Sequence, residues 1–515
     1  MPISPARRFW RWFGIAFAGV LLITIAWAGS NPLGMAPDEG VHARTAYAVV
    51  RLDIGDVNPV VPAIYDDLGG RGYKTDGDQL MCPQKSWSIS AACQDWALYA
   101  GKPPVRSFTQ FATYNPVYYV IVGWPTLLLE PRAALYAMRG VSAVLFSGLV
   151  AAAIAIAATA FRRRWVVGGV LLALPPMVLF LGGVLNPNSI EIATAVLVWT
   201  GLAALFGREL RPPLSPLVIT TTTIGMALLA LNRLLSPLWL LIILLTTLFA
   251  TRGWRRLWQL ARHSRYFQVH LGVAAVAVVL ALVWTRTHPT VFVGGVHPAA
   301  SLSDAVQLGM QQLFQGFAKS TLTGTFAVLG WWDLPIYLAA PVFVALWGAL
   351  VGGALFVGRT RSARLAPVLL VAFWVVFPTA LAAYMWSNIG VQPRYWLPIA
   401  VGIPIVASLV LAERAETSPA GGKALTAALR FGAVAVMLTD LYAFVINYHR
   451  YAAGFGGPWD PSAFQWNAPL GPIPWLAALL VGSAVLAFAF WRGTRDERAP
   501  SRRIEIDVPA PSGGA

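Results

Sequence analysis

Residues 31–50 carry several ionisable side chains directly after the first apolar run of the chain. Asp38 and Glu39 are adjacent, and if Asp38 begins a helix, then His42 and Thr45 share its face. A carboxylate in that position could act as a general base toward a hydroxyl group. Asp38 and Glu39 together could also bind a divalent cation, Mg²⁺ or Mn²⁺.

Helix capping accounts for the same residues without any chemistry. Pro37 suits the first turn of a helix, and acids at that position complement the positive end of the helix dipole. The spacing therefore leaves two interpretations open: a catalytic or metal-binding acidic pair, and a capped helix at a membrane boundary.

Two further segments combine charge with aromatic rings. Arg394 and Tyr395 open a later apolar run, where an arginine can bind a phosphate group or extend to lipid headgroups. Trp331, Trp332 and Asp333 precede another run, where such rings either anchor a helix at the membrane interface or stack on a sugar. These residues are candidates for binding substrate and phosphate.

Isolated ionisable residues near helix ends form a third group of candidates. Glu191 follows the turn-forming sequence Asn186-Pro187-Asn188 and could face a cavity rather than lipid. Arg233 and Asp440 are candidates of the same kind.

The two cysteines, Cys82 and Cys93, lie on one polar segment. A disulfide between them would close a short loop and stabilise it by roughly 2–3 kcal/mol in an oxidising compartment. The six histidines show no metal-ligand spacing, and no Walker A loop, GxSxG elbow or HExxH motif is present in the sequence. We therefore expect a disulfide rather than free thiols or a thiolate metal site.

The composition places these candidates in a membrane protein. Of 515 residues, 57% are hydrophobic and 12% are charged, against about 25% charged in soluble domains. Mostly apolar runs long enough to cross a bilayer recur along the chain. The sequence therefore predicts an all-α polytopic membrane protein.

The placement of charge predicts the orientation. The net charge of +16 comes largely from arginines in alternate links between apolar runs, which is typical of cytoplasmic loops and not of nucleic-acid binding. This pattern predicts twelve spans with both termini cytoplasmic. The predicted spans are 10–29, 140–160, 165–185, 189–206, 214–231, 235–250, 267–285, 335–357, 365–385, 395–412, 425–446 and 474–491.

A largely polar segment, residues 30–139, is predicted to form the first extracytoplasmic loop. Its apolar piece, 114–129, resembles a span, but a crossing there would place the arginines at 162–164 outside. We therefore predict an interfacial helix. The domain prediction is one transmembrane domain, residues 1–491, followed by a disordered cytoplasmic tail, 492–515.

Four motifs, taken in order, resemble those of a bacterial family of multi-spanning membrane proteins, numbered 2142 among the domains of unknown function. They are PDEGVHAR at 37–44, LNP at 185–187, GWWDLP at 330–335 and QPRYWLP at 392–398. The resemblance spans about residues 10–455. Pro393 stands where glycine is usual in that family.

That family in turn resembles the GT-C glycosyltransferases, which take sugars from polyprenyl-phosphate carriers at the outer face of the membrane. The resemblance implies a GT-C-like fold, with interfacial helices in the first loop, and an inverting transfer in which a first-loop aspartate is the base. Asp38 would be that base, Glu39 or His42 would orient it or help to hold a metal, and Arg394 would bind the lipid phosphate.

The partners implied for such an enzyme are the lipid bilayer, a polyprenyl-phosphate-linked sugar donor, and a glycan or glycolipid acceptor of the bacterial envelope. Its location would be the bacterial plasma membrane. No nucleotide-binding motif is needed with a lipid-linked donor, and the sequence contains none.

The sequence leaves other functions open: a related enzyme, namely a polymerase or ligase of lipid-linked glycans, and two functions of other classes. A transporter or flippase of lipid-linked sugars would bind the same lipids. The ionisable residues here lie mostly at helix ends, and the acidic pair lies on one side of the membrane, which favours one-sided chemistry over alternating access. A non-catalytic scaffold for envelope assembly is the second alternative. Substitution of Asp38 would abolish the activity of an enzyme and leave the partner binding of a scaffold intact.

Overall fold

The computed structural model describes residues 4–69, 79–161, 165–207, 210, 214–289, 301, 303–304, 306–307, 322–331, 333–385 and 392–495. These residues are largely helical, which confirms the predicted all-α class of the protein. Two short antiparallel strand pairs join loops: β1 (Val60–Val61) with β2 (Val105–Arg106), and β3 (Val328–Leu329) with β4 (Leu334–Pro335).

Within the described residues, the first half of the chain forms twelve α-helices. They are α1 (Pro5–Ser30), α2 (Glu39–Val49), α3 (Ala63–Leu68), α4 (Val117–Gly123), α5 (Pro131–Ala160), α6 (Trp165–Leu172), α7 (Pro176–Gly182), α8 (Pro187–Gly207), α9 (Leu214–Ala230), α10 (Ser236–Thr251), α11 (Trp254–His263) and α12 (Arg265–Thr287).

The second half continues the same numbering. Its described helices are α13 (Leu322–Phe326), α14 (Ala339–Val357), α15 (Arg361–Met385), α16 (Leu397–Ala400), α17 (Gly402–Ala415), α18 (Pro419–Ala453) and α19 (Pro472–Arg495). Short 3-10 turns also occur, at Cys82–Gln84, Ala91–Cys93, Trp96–Tyr99, Gln110–Thr113, Trp124–Leu127, Pro393–Trp396 and Pro461–Ala463.

Local sequence explains where several helices begin. Ser4, Glu130 and Ser418 each accept a hydrogen bond from backbone N–H groups of the first turn of α1, α5 and α18. Proline follows each of these caps, at a position whose N–H has no partner in a helix. Proline also interrupts the helix between α6 and α7. The axes of these two helices differ by 76°, and the bend lies just before Pro176.

The centre of the helix bundle is α8, which is buried over almost its whole length. It packs against α5, α9 and α10, while α1 packs between α5 and α19. In contrast, α12 lies at the edge and buries one narrow stripe of residues: Phe267, Ala274, Ala277 and Ala281. Most of its remaining apolar residues are exposed, as expected for a helix that faces lipid.

Every one of the twelve predicted spans contains helix. Among the described residues, eight helices are long and apolar enough to cross a membrane, or up to ten if each of two bent pairs is one span. The polytopic architecture is thus established, and the number twelve stays a prediction. The arginines at 162–164, which decided the predicted topology, lie outside the described residues.

Two helices extend beyond their predicted bounds. The helix of the second predicted span starts at Pro131 rather than at Gly140, and Glu130 caps its first turn. The polar residues in its first turns resemble a loop in the sequence. Arg139, predicted to end the loop, therefore lies within α5. The last helix continues to Arg495, so the tail cannot begin at Arg492; residues 496–515 lie outside the described residues.

The segment between α1 and α5 forms a folded unit on one end of the bundle. Within it, α2 packs against α3 and α4, and the apolar piece predicted to be interfacial forms α4 and the 3-10 turn Trp124–Leu127. We call this the Asp38 end. The end of α1, the starts of α5, α8 and α10, and the end of α9 all meet there.

Candidate functional site

Asp38 precedes α2 with a left-handed backbone conformation, φ +59°. Aspartate is one of the few non-glycine residues that tolerate this conformation, which is found at many functional sites. The side chain makes no capping hydrogen bond to α2. Instead, its Oδ2 accepts a hydrogen bond from Nη2 of Arg394 at 2.5 Å. The capping interpretation of this carboxylate is therefore wrong.

Arg394 lies in the 3-10 turn Pro393–Trp396, directly before α16. The side chain of Arg394 is 1% exposed, whereas that of Asp38 is 20% exposed. Solvent therefore reaches the carboxylate of Asp38 but not the guanidinium of Arg394. Its Nε and Nη1 are buried and have no hydrogen-bond partner among the described residues. Because buried donors in native proteins are nearly always paired, these two groups indicate capacity for an anionic ligand.

A second arginine, Arg233, lies in the turn between α9 and α10. Its Nη1 donates to Glu191 at 3.1 Å, and its Nη2 donates to the hydroxyl of Tyr114 at 3.4 Å. The ring of Tyr395 lies 4.9 Å from the Arg233 guanidinium and 5.3 Å from that of Arg394. Both cations therefore contact one ring, and Nε of Arg233 is likewise buried without a partner in the described part of the chain.

The side chain of Glu191 explains how Arg233 is held. One carboxylate oxygen accepts from Arg233 and from the amide of Asn188, and the other accepts from the hydroxyl of Ser236 at 2.6 Å. Glu191 is completely buried in α8. It therefore acts on the site through Arg233, and the structure brings it to the same place as Arg394.

His42 and Thr45 share one face of α2, as predicted, and both are buried. The imidazole stacks on Phe111 at 4.2 Å between ring centroids, and its Nδ1 lies 2.9 Å from the hydroxyl of Tyr119. The hydroxyl of Thr45 bonds to that of Thr109. This face of α2 thus packs against the folded unit of the Asp38 end.

The position of His42 affects its charge. Burial is the main cause that holds its pKa well below the usual value, and the positive charges of Arg394 and Arg233 act in the same direction. The imidazole is therefore neutral near pH 7, and it adds no positive charge beside the two arginines.

Glu39 has entirely different partners from Asp38. Its carboxylate accepts from Nε and Nη2 of Arg139, both at 2.6 Å, and from the backbone N–H groups of Gly34 and Leu185. Arg139 also donates to three backbone carbonyls at the end of α1: Ala28, Asn31 and Pro32. Neither side chain is more than 1% exposed. These contacts join α1, α2, α5 and the start of α8.

The acidic pair does not fit the predicted metal site. Asp38 and Glu39 are each bound by a different arginine. In the described ranges, no group of three or more His, Cys, Asp or Glu side chains could hold a metal ion. A hard cation such as Mg²⁺ needs several oxygen ligands.

Asp333 lies in a separate cluster near the end of α18. Its Oδ2 is 3.9 Å from Nη2 of Arg450. Burial raises the pKa of Asp333, against the opposing effect of the Arg450 charge. Trp332, the predicted neighbour, lies outside the described residues.

Gly330 allows Asp333 and Tyr451 to approach the backbone closely. A Cβ atom at this glycine would collide with Oδ1 of Asp333 and with the hydroxyl of Tyr451. Both of these polar atoms are buried and lack a hydrogen-bond partner within the part of the chain that is described. These two atoms therefore have unused capacity for a hydroxyl group that donates to the acid and accepts from the tyrosine.

A disulfide joins Cys82 and Cys93, with their Cα atoms 6.2 Å apart. The loop that it closes provides backbone carbonyl acceptors for Arg450, at Pro83, Ser86 and Ile89. The disulfide loop thus holds the arginine that faces Asp333.

Sequence reasoning missed Arg139, Arg450, Tyr114, Tyr119 and Tyr451 as parts of these networks. A signal existed for Arg139, because an arginine inside an apolar helix is costly unless it is paired. No comparable signal in the sequence marks the tyrosines, since such residues are common at membrane interfaces.

Two solved structures resemble this protein. Two structures of ArnT from Cupriavidus metallidurans are similar over 95% of this chain and 77% of theirs. The form bound to undecaprenyl phosphate has 15% sequence identity and a TM-score of 0.42; the apo form has 14% and 0.41. No curated protein matches the sequence.

The sequence profile of DUF2142, a family of predicted membrane proteins, matches residues 21–403. This match covers most of the chain and confirms the resemblance seen in the four motifs. The chain belongs to the DUF2142 family of membrane proteins.

Proposed function

We propose that the protein is an inverting membrane glycosyltransferase that moves a sugar from a polyprenyl-phosphate donor to a hydroxyl of an envelope glycan or glycolipid. The reaction takes place at the Asp38 end, which we place on the extracytoplasmic face of the bacterial plasma membrane. Both termini are then cytoplasmic. The reaction type follows the resemblance of the acidic first-loop motif to that of GT-C enzymes.

One observation carries the proposal: Arg394 is buried, binds Asp38 through a single nitrogen, and keeps two N–H donors without partners among the described residues. A phosphate group can accept from one of these nitrogens while Asp38 retains its own bond. A carboxylate and a phosphate-binding group are thereby held side by side at one end of a membrane protein, where a lipid phosphate is located.

The reaction uses these groups as follows. The acceptor hydroxyl attacks the anomeric carbon, and its proton passes to the carboxylate of Asp38. The bond between that carbon and the phosphate oxygen breaks, and polyprenyl phosphate leaves with the electron pair. Arg394 stabilises the negative charge that develops on the leaving group, and Arg233 adds a second positive charge nearby. Attack from the face opposite the phosphate inverts the anomeric centre.

The other predicted site residues have supporting roles in this scheme. Glu191 positions Arg233, and Tyr395 separates the two guanidinium groups. His42 stays neutral and orients the start of α2. Asp333 binds a sugar hydroxyl through its unpartnered oxygen, with Tyr451 as the second partner. Glu39, predicted to be catalytic, holds α2 against α5 through Arg139.

The first experiment measures transfer of radiolabelled sugar from a panel of polyprenyl-phosphate sugars, in membranes with equal amounts of each variant. We expect Asp38→Asn to lose transfer by about 10²–10⁴-fold, the usual contribution of general base catalysis. Asparagine also tolerates the left-handed backbone at this position, so folding is preserved. Asp53→Asn, at an exposed acid of the same segment, is the control and should keep full activity.

Two outcomes would contradict the proposal. Unchanged transfer in Asp38→Asn would remove Asp38 from the chemistry and leave Asp333 as the base to test. Movement of labelled lipid across the bilayer by the wild type, without any transfer, would show that the protein is a flippase of lipid-linked sugars.

A further inference from the structure

A large apolar cavity lies at the end of the bundle opposite Asp38. Its volume is about 900 Å³, near the upper end of the roughly 300–1,000 Å³ range of ligand-binding pockets. Five helices form its walls: the end of α8, then α9, α10, α11 and α12. Its lining on α9 runs from Ile219 to Met226, which is seven residues before Arg233, or about 10 Å along the helix axis. Arg233 itself does not line the cavity.

The cavity opens sideways, toward the space that lipid occupies. Leu271 of α12 and Trp258 of α11 line it, and both are about half exposed. The deeper wall consists of apolar side chains such as Leu202, Phe206 and Met226. An empty space of this size would forfeit many van der Waals contacts, so an apolar chain that enters from the bilayer would be favoured.

The helix at the mouth of the cavity is strongly basic. The sequence of α11, WRRLWQLARH, contains three arginines and no acid, and its axis turns by 111° from that of α10. A helix with tryptophans on one face and arginines on another, turned away from the direction of the spans, lies along the membrane surface. There it attracts anionic lipids, at about 1 kcal/mol for each basic residue near the surface.

Two of these arginines are placed to bind a headgroup. Arg255 lines the cavity itself. Its neighbour Arg256 has a buried Nε without a hydrogen-bond partner in the described part of the chain. The third, Arg262, is already stacked on Trp258, with the guanidinium 4.8 Å from the ring centroid. A phosphate at the mouth would accept hydrogen bonds from Arg255, and Arg256 would add its charge one residue away.

We propose that this cavity is a binding site for one anionic phospholipid. An acyl chain of the lipid fills the space between α8, α9 and α12, and its phosphate lies against Arg255 and Arg256. The site is independent of the glycosyl transfer proposed above, because it uses none of the residues at the Asp38 end.

Native mass spectrometry of the purified full chain tests this proposal, with equal amounts of dioleoylphosphatidylglycerol and dioleoylphosphatidylcholine added. We expect the wild type to retain one phosphatidylglycerol in preference to phosphatidylcholine, by about tenfold or more. The double variant Arg255→Gln/Arg256→Gln should lose this preference. Arg7→Gln/Arg8→Gln removes the same charge from exposed positions at the start of α1 and should behave like the wild type.

Two variants that fill the cavity test the position of the acyl chain. Ala274→Phe acts from α12 and Ala261→Phe from α11, so a folding defect in one does not affect the other. Each should lower retention of both lipids. Equal retention of the two lipids by the wild type would overturn the proposal, as would unchanged retention in both filled variants. Displacement of phosphatidylglycerol by equimolar undecaprenyl phosphate would also overturn it, because the occupant would then be the carrier lipid.

Discussion

Asp38 and Glu39 are neighbours in the chain, and each is paired with an arginine, yet the two pairs differ in how completely they are bonded. Glu39 accepts four hydrogen bonds, and Arg139 uses every nitrogen of its guanidinium. Arg394 gives Asp38 one bond and keeps two buried nitrogens without partners among the described residues.

This difference separates a structural pair from a binding pair. A buried ion pair whose remaining hydrogen-bonding groups are also satisfied has no capacity for a ligand, and it joins helices. A buried arginine with unused donors retains such capacity. Two adjacent acids of the same motif therefore have different tasks, and the arginine opposite each acid decides which task it has.

The largest effect on stability is expected where the Glu39 pair is broken. Arg139→Gln or Glu39→Gln alone leaves a buried charge without its partner, which costs on the order of 3–5 kcal/mol. Thermal unfolding in detergent measures this loss. Asp38→Asn also removes the counter-charge of the buried Arg394, but its amide oxygen can still accept the single bond from Arg394 and its amide nitrogen can face solvent, so it should change the midpoint less. Equal destabilisation by Asp38→Asn and Glu39→Gln would abolish the distinction between the pairs.

The disulfide extends the comparison to a third acid, Asp333, whose partner Arg450 is held by the loop between Cys82 and Cys93. The variant Cys82→Ser/Cys93→Ser should lower the free energy of unfolding by roughly 2–3 kcal/mol, because the unfolded chain gains conformational freedom. Its unfolding is measured with and without a reducing agent, which should affect only the wild type. No difference between wild type and variant would show that Arg450 holds the loop by itself.

Arg394→Lys tests the unused donors directly. Lysine keeps the charge but cannot bind Asp38 and a phosphate through separate nitrogens of one planar group. Transfer should fall by about 10–100-fold in kcat/KM, equivalent to about 1.4–2.7 kcal/mol. Arg106→Lys, at an exposed arginine, is the matched control. Full activity in Arg394→Lys would mean that only its charge matters.

The smallest effect concerns pH and His42, which lies beside the binding pair. Its pKa is lowered in the folded state, so below about pH 6.5 the unfolded chain binds a proton that the folded protein does not. Stability therefore falls as the pH drops from 6.5, by up to about 1.4 kcal/mol for each unit. His42→Gln should weaken the pH dependence of the thermal unfolding midpoint between pH 5 and 6.5. An identical pH dependence in this variant would assign the effect to other groups.

Much of the architecture could be predicted from the sequence. Apolar runs and alternate arginines located every helix that was predicted to cross the membrane, because a bilayer permits few structures that satisfy the backbone. The motif order indicated the family, and the acidic segment indicated where chemistry could occur. The start of α5 was missed because Glu130 and Arg132 made its first turns look like loop.

The roles of the two acids could not be predicted, because they depend on contacts between residues far apart in the chain. Asp38 meets Arg394, and Glu39 meets Arg139, only when several helix ends are packed together. The sequence by itself determined the membrane class, the family and the acidic motif, since these depend on composition and local pattern. Only the tertiary structure decided which acid is fully bonded and which arginine has donors left for a ligand, because burial and partners exist only in the folded chain.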